Sequence, residues 1–171
     1  MTINLPALAT RAEVFKSVET FLEDNGFLIA SKDETRPWGG FYVIDEDQSK
    51  KFVDFFFKNT VEAHDSLQHK ISPKILIVEK GKRLSWQYHN RRSEIWKIIS
   101  GEVGVITSDT DKEGHLAEKK LNDVIILSKG ERHRLIGLNS WGIIAEIWQH
   151  SSPGHPSDED DIIRVQDDFG R

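Results

Sequence analysis

The segment 81–101 carries the side chains in this sequence that are best suited to chemistry, and its central ones are Gln87, His89 and Glu94. Residues two apart in a strand project from the same face, so Gln87 and His89 should point the same way. The four residues after His89 can form a turn. If the chain then doubles back as a hairpin, Glu94 returns opposite His89 and brings its carboxylate beside the imidazole and the amide. The spacing therefore predicts three converging donor groups.

A fourth donor is expected from His133, which follows the glycine-containing segment 129–132 and should begin a strand. Two nitrogen and two oxygen donors suit a divalent ion such as zinc, manganese, iron, cobalt or nickel, and do not discriminate among them. The alternatives are an ordinary exposed Glu94 and a Gln87 that faces solvent. A single histidine on a strand is more often hydrogen-bonded in the core or at the rim. That role is expected for the five other histidines, which are His64, His69, His115, His150 and His155.

The composition excludes several classes of partner and site. The 171 residues suit one domain that is large enough to bury its own core. With 28 acidic against 23 basic residues the formal charge is -5, and no lysine or arginine run is long enough to bind nucleic acid. Cysteine is absent, so a metal must be held by imidazole, carboxylate, amide or water. No leader peptide or membrane-spanning stretch is recognisable, which gives the expectation of a soluble, cytoplasmic protein without a membrane partner.

Only the first thirty residues have a convincing helical pattern. Thr10 followed by Glu13 has the form of a capping box, and Asn25-Gly26 gives a suitable helix end. Four apolar residues between them recur at helical spacing, namely Val14, Val18, Phe21 and Leu22. This stripe predicts a packing helix that has no chemistry of its own.

From about Phe41 onward, short apolar runs are broken by Gly, Pro, Asn, Asp and Lys, which is typical of a sandwich or barrel of antiparallel strands. The expected strands are 41–44, 52–57, 74–78, 84–89, 95–99, 103–107, 123–127, 133–137 and 142–149. The C-terminal segment 151–171 is polar and contains Pro153 and Pro156, so composition alone predicts a mobile end.

The spacing of Gly81, His89, Glu94 and Gly101 resembles the first cupin motif, with Gln87 where the first histidine of that motif usually stands. The string from Leu84 to His89 is similar to phosphomannose isomerases, in which the corresponding glutamine is a zinc ligand. The resemblance implies an all-β fold, a cupin of the double-stranded β-helix or jelly-roll type, here with an N-terminal α-helix.

A closer resemblance is to the C-terminal isomerase domain of bifunctional mannose-1-phosphate guanylyltransferase/mannose-6-phosphate isomerase proteins. Four separated strings match in the same order, namely Arg36-Pro37-Trp38-Gly39, 81–96, 130–135, and 159–164 with Asp168-Phe169-Gly170-Arg171. The resemblance implies an N-terminal helical extension at 1–35 and an isomerase-like cupin domain at 36–171. It also makes the polar C-terminal segment part of that domain.

Three positions depart from the family pattern. Arg91 stands where the family commonly has the second histidine of a His-x-His pair, Ser128 replaces the proline of the second cupin motif, and Gly137 replaces its final asparagine. His133 itself is kept. These departures count against the expected catalytic activity more than against the expected cupin fold.

The resemblance implies a metal-dependent isomerase that interconverts mannose 6-phosphate and fructose 6-phosphate through an enediolate. Its metal ligands would be Gln87, His89, Glu94 and His133, holding one divalent ion, with zinc the first expectation. The candidate catalytic groups are Arg91, Lys97 and Glu131, and the candidate phosphate ligands are Ser85, Arg132 and Arg164, together with Arg91. The expected partner is a small sugar phosphate, and Trp38, Trp86 and Trp96 pack the barrel or face a sugar ring.

Two other functions stay open from the sequence. One is an isomerase or epimerase that acts on another sugar phosphate or on a nucleotide sugar. The other is a non-catalytic sugar-binding cupin, in which the loss of a histidine at Arg91 marks lost chemistry. A homodimer is expected by analogy with barrels of this type.

Overall fold

Eleven strands form two antiparallel sheets in the computed structural model, which describes Ile3, Leu5 and residues 9–170. The first sheet has the order β1-β2-β3-β10-β5-β8, and the second has the order β11-β4-β9-β6-β7. The strands are β1 (Ile29–Asp33), β2 (Gly39–Ile44), β3 (Ile71–Val78), β4 (Trp86–Tyr88), β5 (Arg92–Ser100), β6 (Val103–Ser108), β7 (Leu116–Lys119), β8 (Val124–Leu127), β9 (Arg132–Gly137), β10 (Gly142–His150) and β11 (Ile163–Gln166). The expected antiparallel, mainly β architecture is confirmed.

Two apolar cores lie on opposite faces of the first sheet. Successive residues of a strand alternate between faces, so a central strand can supply both cores. In β10, Ile144 packs between the two sheets, whereas Ile143 and Ile147 pack on the outer face beneath the helices. The first sheet is therefore covered on both sides, and its inner face meets the second sheet.

Three helices cover the outer face of the first sheet: α1 (Arg11–Asp24), α2 (Ser49–Phe56) and α3 (Val61–Ser66). The capping box between Thr10 and Glu13 is present and Asn25 is the C-cap of α1, so the predicted N-terminal helix is confirmed. Its apolar residues share one core with β3 and β10. The proposed boundary at residue 35 stays a prediction. Among the described residues, no helix combines the length and apolar character needed to cross a membrane.

The predicted strand at 52–57 is wrong, because most of this segment belongs to α2. Phe52, Val53 and Phe56 are buried, and the spacing of Phe52 and Phe56 places both rings on Phe27. The aromatic run favours a strand by local propensity, but tertiary packing overrides that preference. The sequence analysis also did not predict α3, β1, β7 or β11, which are all short.

The predicted hairpin after His89 is also wrong. β4 pairs with β9 and β11 in the second sheet, whereas β5 pairs with β10 and β8 in the first. The chain therefore crosses from one sheet to the other just after His89. Glu94 reaches His89 across the space between the sheets and not as a hairpin partner. The strand predicted at 133–137 is present as β9, which begins one residue earlier, at Arg132.

Two glycines permit close approaches of the backbone. A Cβ on Gly39, whose φ is +144°, would lie 1.8 Å from the carbonyl oxygen of Ile77. A Cβ on Gly137 would lie 2.1 Å from the carbonyl oxygen of Glu79. The departure from the family pattern at Gly137 therefore accompanies a contact that only glycine allows in this fold.

The cap of α1 gives a test of how this helix is held. We expect Thr10→Ala to lower the free energy of unfolding by about 1 kcal/mol, because it removes the side-chain oxygen that accepts from the Glu13 N–H. Thr10→Ser keeps the hydroxyl and serves as the control. Urea denaturation of the three proteins measures the difference, and equal stability of the alanine and serine variants would contradict the prediction.

Candidate metal centre and its cavity

Three buried side chains from different strands meet between the sheets. His89 lies just beyond β4, Glu94 lies on β5, and His133 lies on β9. Their ligand atoms all lie within 4.8 Å of one another. The Nε2 atom of His89 is 3.1 Å from Oε1 of Glu94, and Nε2 of His133 is 3.6 Å from Oε2. The structure thus brings together three of the four predicted metal ligands. We call His89, Glu94 and His133 the triad.

Backbone carbonyls orient both imidazoles of the triad. Nδ1 of His89 lies 2.7 Å from the carbonyl oxygen of Asp161, and Nδ1 of His133 lies 3.0 Å from that of Glu131. A carbonyl only accepts, so each Nδ1 carries the hydrogen and each Nε2 faces the centre of the triad. Backbone acceptors of this kind commonly orient metal-ligating histidines.

His133 has the properties of a metal ligand. Its Nε2 atom is buried and has no hydrogen-bond partner among the described residues. Burial lowers the pKa of His133 to about 4, so its imidazole is neutral near pH 7. A neutral, unpartnered nitrogen beside a carboxylate fits a divalent ion, and the donors do not select which one.

Arg92, which the sequence analysis did not single out, is the cation of the triad. It is buried; its Nε donates to Oε1 of Glu94 at 2.7 Å, and its Nη2 lies 3.1 Å from Nε2 of His89. Burial opposes ionisation of Glu94, yet His89 and Arg92 together hold its pKa well below the usual range. An ion bound by Nε2 of His89 requires Arg92 Nη2 to leave that nitrogen, because one lone pair cannot serve both.

A cavity that is open to solvent adjoins the triad at Glu94, which lines its wall. Ser85 and Arg164, two of the predicted substrate ligands, contribute to its wall, and so does Gln87. Gln87 is the cross-strand partner of His133 and accepts a hydrogen bond from the Ser85 hydroxyl at 2.5 Å. Its role as the fourth metal ligand stays a prediction. Trp38 and Trp96 also line the cavity, whereas the indole of Trp86 donates to the carbonyl of Asp111.

The other predicted site residues lie away from the cavity wall. Arg91 pairs with Asp158 at 2.8 Å, and Arg132 pairs with Asp111 at 2.7 Å. The roles proposed for these residues are not tested by their positions alone.

The two remaining candidates for catalysis also point elsewhere. The carboxylate of Glu131 accepts from the N–H of Ser128 at 2.8 Å, within the turn before β9. Lys97 is half-buried, and alternation along β5 places it on the face opposite Glu94. Burial lowers the pKa of Lys97. Their catalytic roles stay predictions.

The C-terminal segment forms one side of the centre. Besides its carbonyl contact with His89, Asp161 accepts from the backbone N–H groups of Asn90 and Arg91 through its carboxylate. Strand β11 pairs with β4. The mobile end expected from composition alone is therefore wrong for this part of the segment, because Asp161 and β11 are tied to the residues around His89. Arg171, the last residue of the matching string, lies outside the described residues.

Two more charged residues on the cavity wall were missed. Glu146 on β10 pairs in register with Lys74 on β3 and with Trp96 on β5, so the three residues form a row across the first sheet. The indole N–H of Trp96 lies 2.9 Å from Oε1 of Glu146 and 3.0 Å from Oε2 of Glu94. A charged residue within an otherwise apolar strand could have indicated both Lys74 and Glu146.

Burial raises the pKa of Glu146 to about 8, and the nearby charge of Glu94 acts in the same direction. Lys74 and Arg92 oppose this rise. The Nζ atom of Lys74 is bonded to Glu159 and lies 3.4 Å from the ring centroid of Trp148. The cavity wall thus contains a carboxyl group, Glu146, whose pKa lies near neutral pH, and its cross-strand neighbour is the ammonium group of Lys74.

The model of a known protein family matches residues 57–167, and its description is "Mannose-6-phosphate isomerase C-terminal". The chain belongs to this family. Alginate biosynthesis protein AlgA of Pseudomonas aeruginosa is 32% identical over 136 residues, which are 80% of this chain and 22% of that protein. Mannose-1-phosphate guanylyltransferase 2 of Escherichia coli is 28% identical over 141 residues, 82% of this chain and 23% of that protein. The chain therefore spans less than a quarter of the length of these relatives.

Structural comparison supports the fold. The R92A mutant of Bacillus subtilis oxalate decarboxylase OxdC superposes with a TM-score of 0.56 over 78% of this chain and 30% of its own, at 12% sequence identity. At this identity the likeness concerns the fold alone. The two facing antiparallel sheets and this neighbour confirm the predicted cupin fold.

The triad makes a direct prediction for metal content. We expect His133→Ala and His89→Ala to abolish stoichiometric binding of zinc or manganese, because each variant removes an Nε2 donor. His115→Ala, which changes an exposed histidine, is the matched control and should keep the metal. Elemental analysis of the dialysed proteins gives the ion-to-protein ratio. Full retention of the ion by both triad variants would show that the ligands are elsewhere.

The carboxyl of Glu146 makes a prediction for stability against pH. Its raised pKa means that, between about pH 4.5 and 8, the folded chain keeps a proton that the unfolded chain has lost, so stability falls as pH rises through this window. Glu146→Gln should remove this contribution, making the metal-free variant relatively more stable at pH 8 than at pH 5. Urea titrations at both pH values measure the difference. Parallel pH dependence in the two proteins would contradict it.

Proposed function

We propose that this chain is a metal-dependent aldose–ketose isomerase that interconverts mannose 6-phosphate and fructose 6-phosphate. The observation that carries the proposal is a buried His-Glu-His triad at the end of a cavity that contains further ionisable groups. Membership of the mannose-6-phosphate isomerase C-terminal family supports the choice of substrate. The relatives named for alginate biosynthesis and for mannose-1-phosphate chemistry support a place in polysaccharide formation.

The triad suits this reaction for electrostatic reasons. Isomerisation removes a proton from the carbon beside a carbonyl and develops negative charge on the sugar oxygens. A divalent ion held by His89, Glu94 and His133 would supply Lewis-acid stabilisation of that charge. Zinc is the first candidate, with manganese, iron, cobalt and nickel as alternatives, and Gln87 would complete the ligand set.

The cavity wall suits the rest of a sugar phosphate. Arg36 and Arg164 lie on the wall and could attract a phosphate group. Ser85 offers a neutral polar contact to a hydroxyl group. Trp38 provides a flat apolar face, whereas the ring of Trp148 already carries the guanidinium of Arg92 at 3.5 Å and Nζ of Lys74 at 3.4 Å from its centroid. We therefore assign the phosphate to the arginine-lined part of the wall.

One observation favours the alternative of a non-catalytic sugar-phosphate-binding cupin. Arg92 contacts both Glu94 and His89 and could replace an ion as the cation of the site. In that case the chain would bind the sugar phosphate without converting it. Isomerisation of another sugar phosphate or a nucleotide sugar is the other alternative within the metal-dependent class.

The proposal extends to assembly and location. A homodimer is suggested by exposed apolar side chains on edge strands, including Leu116 of β7 and Ile126 of β8. Sedimentation would measure the oligomeric state. A cytoplasmic location is proposed from the expected sugar-phosphate substrate.

A coupled assay tests the function. We expect the protein loaded with zinc, manganese or cobalt to convert mannose 6-phosphate into fructose 6-phosphate. Glu94→Gln should lower kcat/KM by at least about 100-fold, because it replaces the carboxylate ligand of the triad with a neutral amide. Glu118→Gln changes an exposed carboxylate in the same way and is the control. Calorimetric binding of mannose 6-phosphate without turnover under every metal would favour the non-catalytic alternative.

A further inference from the structure

The row formed by Lys74, Glu146 and Trp96 is a second cluster of functional groups on the cavity wall, beside the triad. Register pairs Glu146 with Lys74 on one side and with Trp96 on the other. Lys74 is 4% exposed and Glu146 is also 4% exposed, although both line the cavity. Buried ionisable groups are costly, so their presence in a cavity wall suggests a function.

Trp96 places Glu146 next to the triad. Its indole N–H is within hydrogen-bonding distance of one oxygen of Glu146 and of one oxygen of Glu94. A substrate oxygen or carbon that reaches the triad therefore lies beside the Glu146 carboxyl. By contrast, Glu94 has Arg92 and His89 as direct partners and is committed to the triad.

We propose that Glu146 is the catalytic acid–base group that carries the proton between the two carbon atoms of the substrate, and that Lys74 is a positioning residue for it. This inference rests on the proposed function and names the group that the reaction needs. The substrate class is an α-hydroxy aldehyde or ketone phosphate. Glu146 is suited to the role because, among the hydrogen bonds of the described residues, its carboxyl group accepts one from Trp96 alone.

The charges around Glu146 support proton exchange near neutral pH. Lys74 faces it from β3, and Glu94 and Arg92 face it from β5. Burial and Glu94 favour the protonated form, whereas Lys74 and Arg92 favour the ionised form. A carboxyl group balanced in this way can both take and return a proton. Lys74 is itself fixed by Glu159 and by the ring of Trp148, so its charge stays beside the carboxyl.

The step balances as follows for the aldose. The Glu146 carboxylate takes the hydrogen of C2 as a proton, the C2–H electron pair forms the C1–C2 double bond, and the carbonyl electron pair moves to O1. The protonated Glu146 then returns the proton to C1, while the proton on O2 passes to O1 and the C2 carbonyl forms. Glu146 ends as the carboxylate with which it began, and no oxidant or reductant is needed.

Solvent exchange of the substrate hydrogen tests Glu146 directly. The metal-loaded protein is incubated in D2O with mannose 6-phosphate, glucose 6-phosphate or ribose 5-phosphate, and proton NMR follows loss of the C2 hydrogen. We expect Glu146→Gln to slow exchange by at least about 100-fold. Metal content and the Kd for fructose 6-phosphate should stay within about twofold, since the amide keeps the size of the side chain. Glu118→Gln is the control and should match the wild type.

Lys74→Met provides the test of positioning. It should lower kcat while leaving metal content unchanged, and it should shift the pH profile of kcat to higher pH because the ionised form of Glu146 loses its cation. If Glu146→Gln does not fold, Glu146→Asp takes its place, because its shorter side chain moves the carboxyl from the substrate. Exchange should then fall at least about tenfold without loss of metal.

The outcomes separate this inference from the proposed function. Normal exchange in a folded Glu146→Gln protein overturns the inference and leaves the isomerase intact. Exchange on glucose or ribose phosphate alone, lost in Glu146→Gln, overturns the mannose assignment and supports the role of Glu146. If the wild type neither exchanges the C2 hydrogen nor isomerises any of the three sugars, both proposals fall.

Discussion

A carboxylate buried between two imidazoles and a guanidinium is the interaction on which the rest of the structure depends. Glu94 is 2% exposed, and an isolated charge at that depth would be strongly unfavourable. Arg92 compensates for the lost hydration through its ion pair with the carboxylate, and each side chain of this cluster is held in turn by other parts of the chain. Backbone carbonyls hold the imidazoles, and Ser157 accepts from Arg92 at 2.8 Å. Removal of Arg92 would leave the Glu94 charge uncompensated, which is the costly case for a buried pair.

This constraint explains why the polar C-terminal segment is part of the fold. Asp161 and Ser157 contact the centre from that segment, and β11 adds a strand to the second sheet beside β4. The helices contribute to the core and not to the centre. They cover the outer face of the first sheet, which allows β3 and β10 to be buried on both faces while Lys74 and Glu146 are directed to the cavity.

Much of the fold could be predicted from the sequence, because the signals were local. The capping box of Thr10 and Glu13 and the alternation of short apolar runs indicated a helix followed by antiparallel strands. The segment 52–57 could not be assigned in this way, since its aromatic residues fit either a strand or an apolar helical stripe. Contact with Phe27, which is distant in sequence, decides in favour of the helix.

The candidate site was predictable in its donors but not in its connections. Residue type and spacing brought out His89, Glu94 and His133, although the assumed hairpin was wrong and the chain crosses between sheets instead. Arg92 was missed because a neighbouring arginine, Arg91, stood at the position where the family pattern departs. Glu146 and Lys74 each stand out in the sequence as a charged residue within an apolar strand, but only the register shows that they form one row with Trp96, since their spacing in the sequence links them to no motif.

The most direct test of the metal centre is a crystal structure of the protein loaded with zinc or manganese, with anomalous scattering measured at the absorption edge of the metal. The account predicts one strong peak bonded to Nε2 of His89, to Nε2 of His133 and to the carboxylate of Glu94, with Arg92 Nη2 withdrawn from His89. A loaded crystal in which Arg92 still contacts His89 and the metal peak lies outside the triad would contradict it.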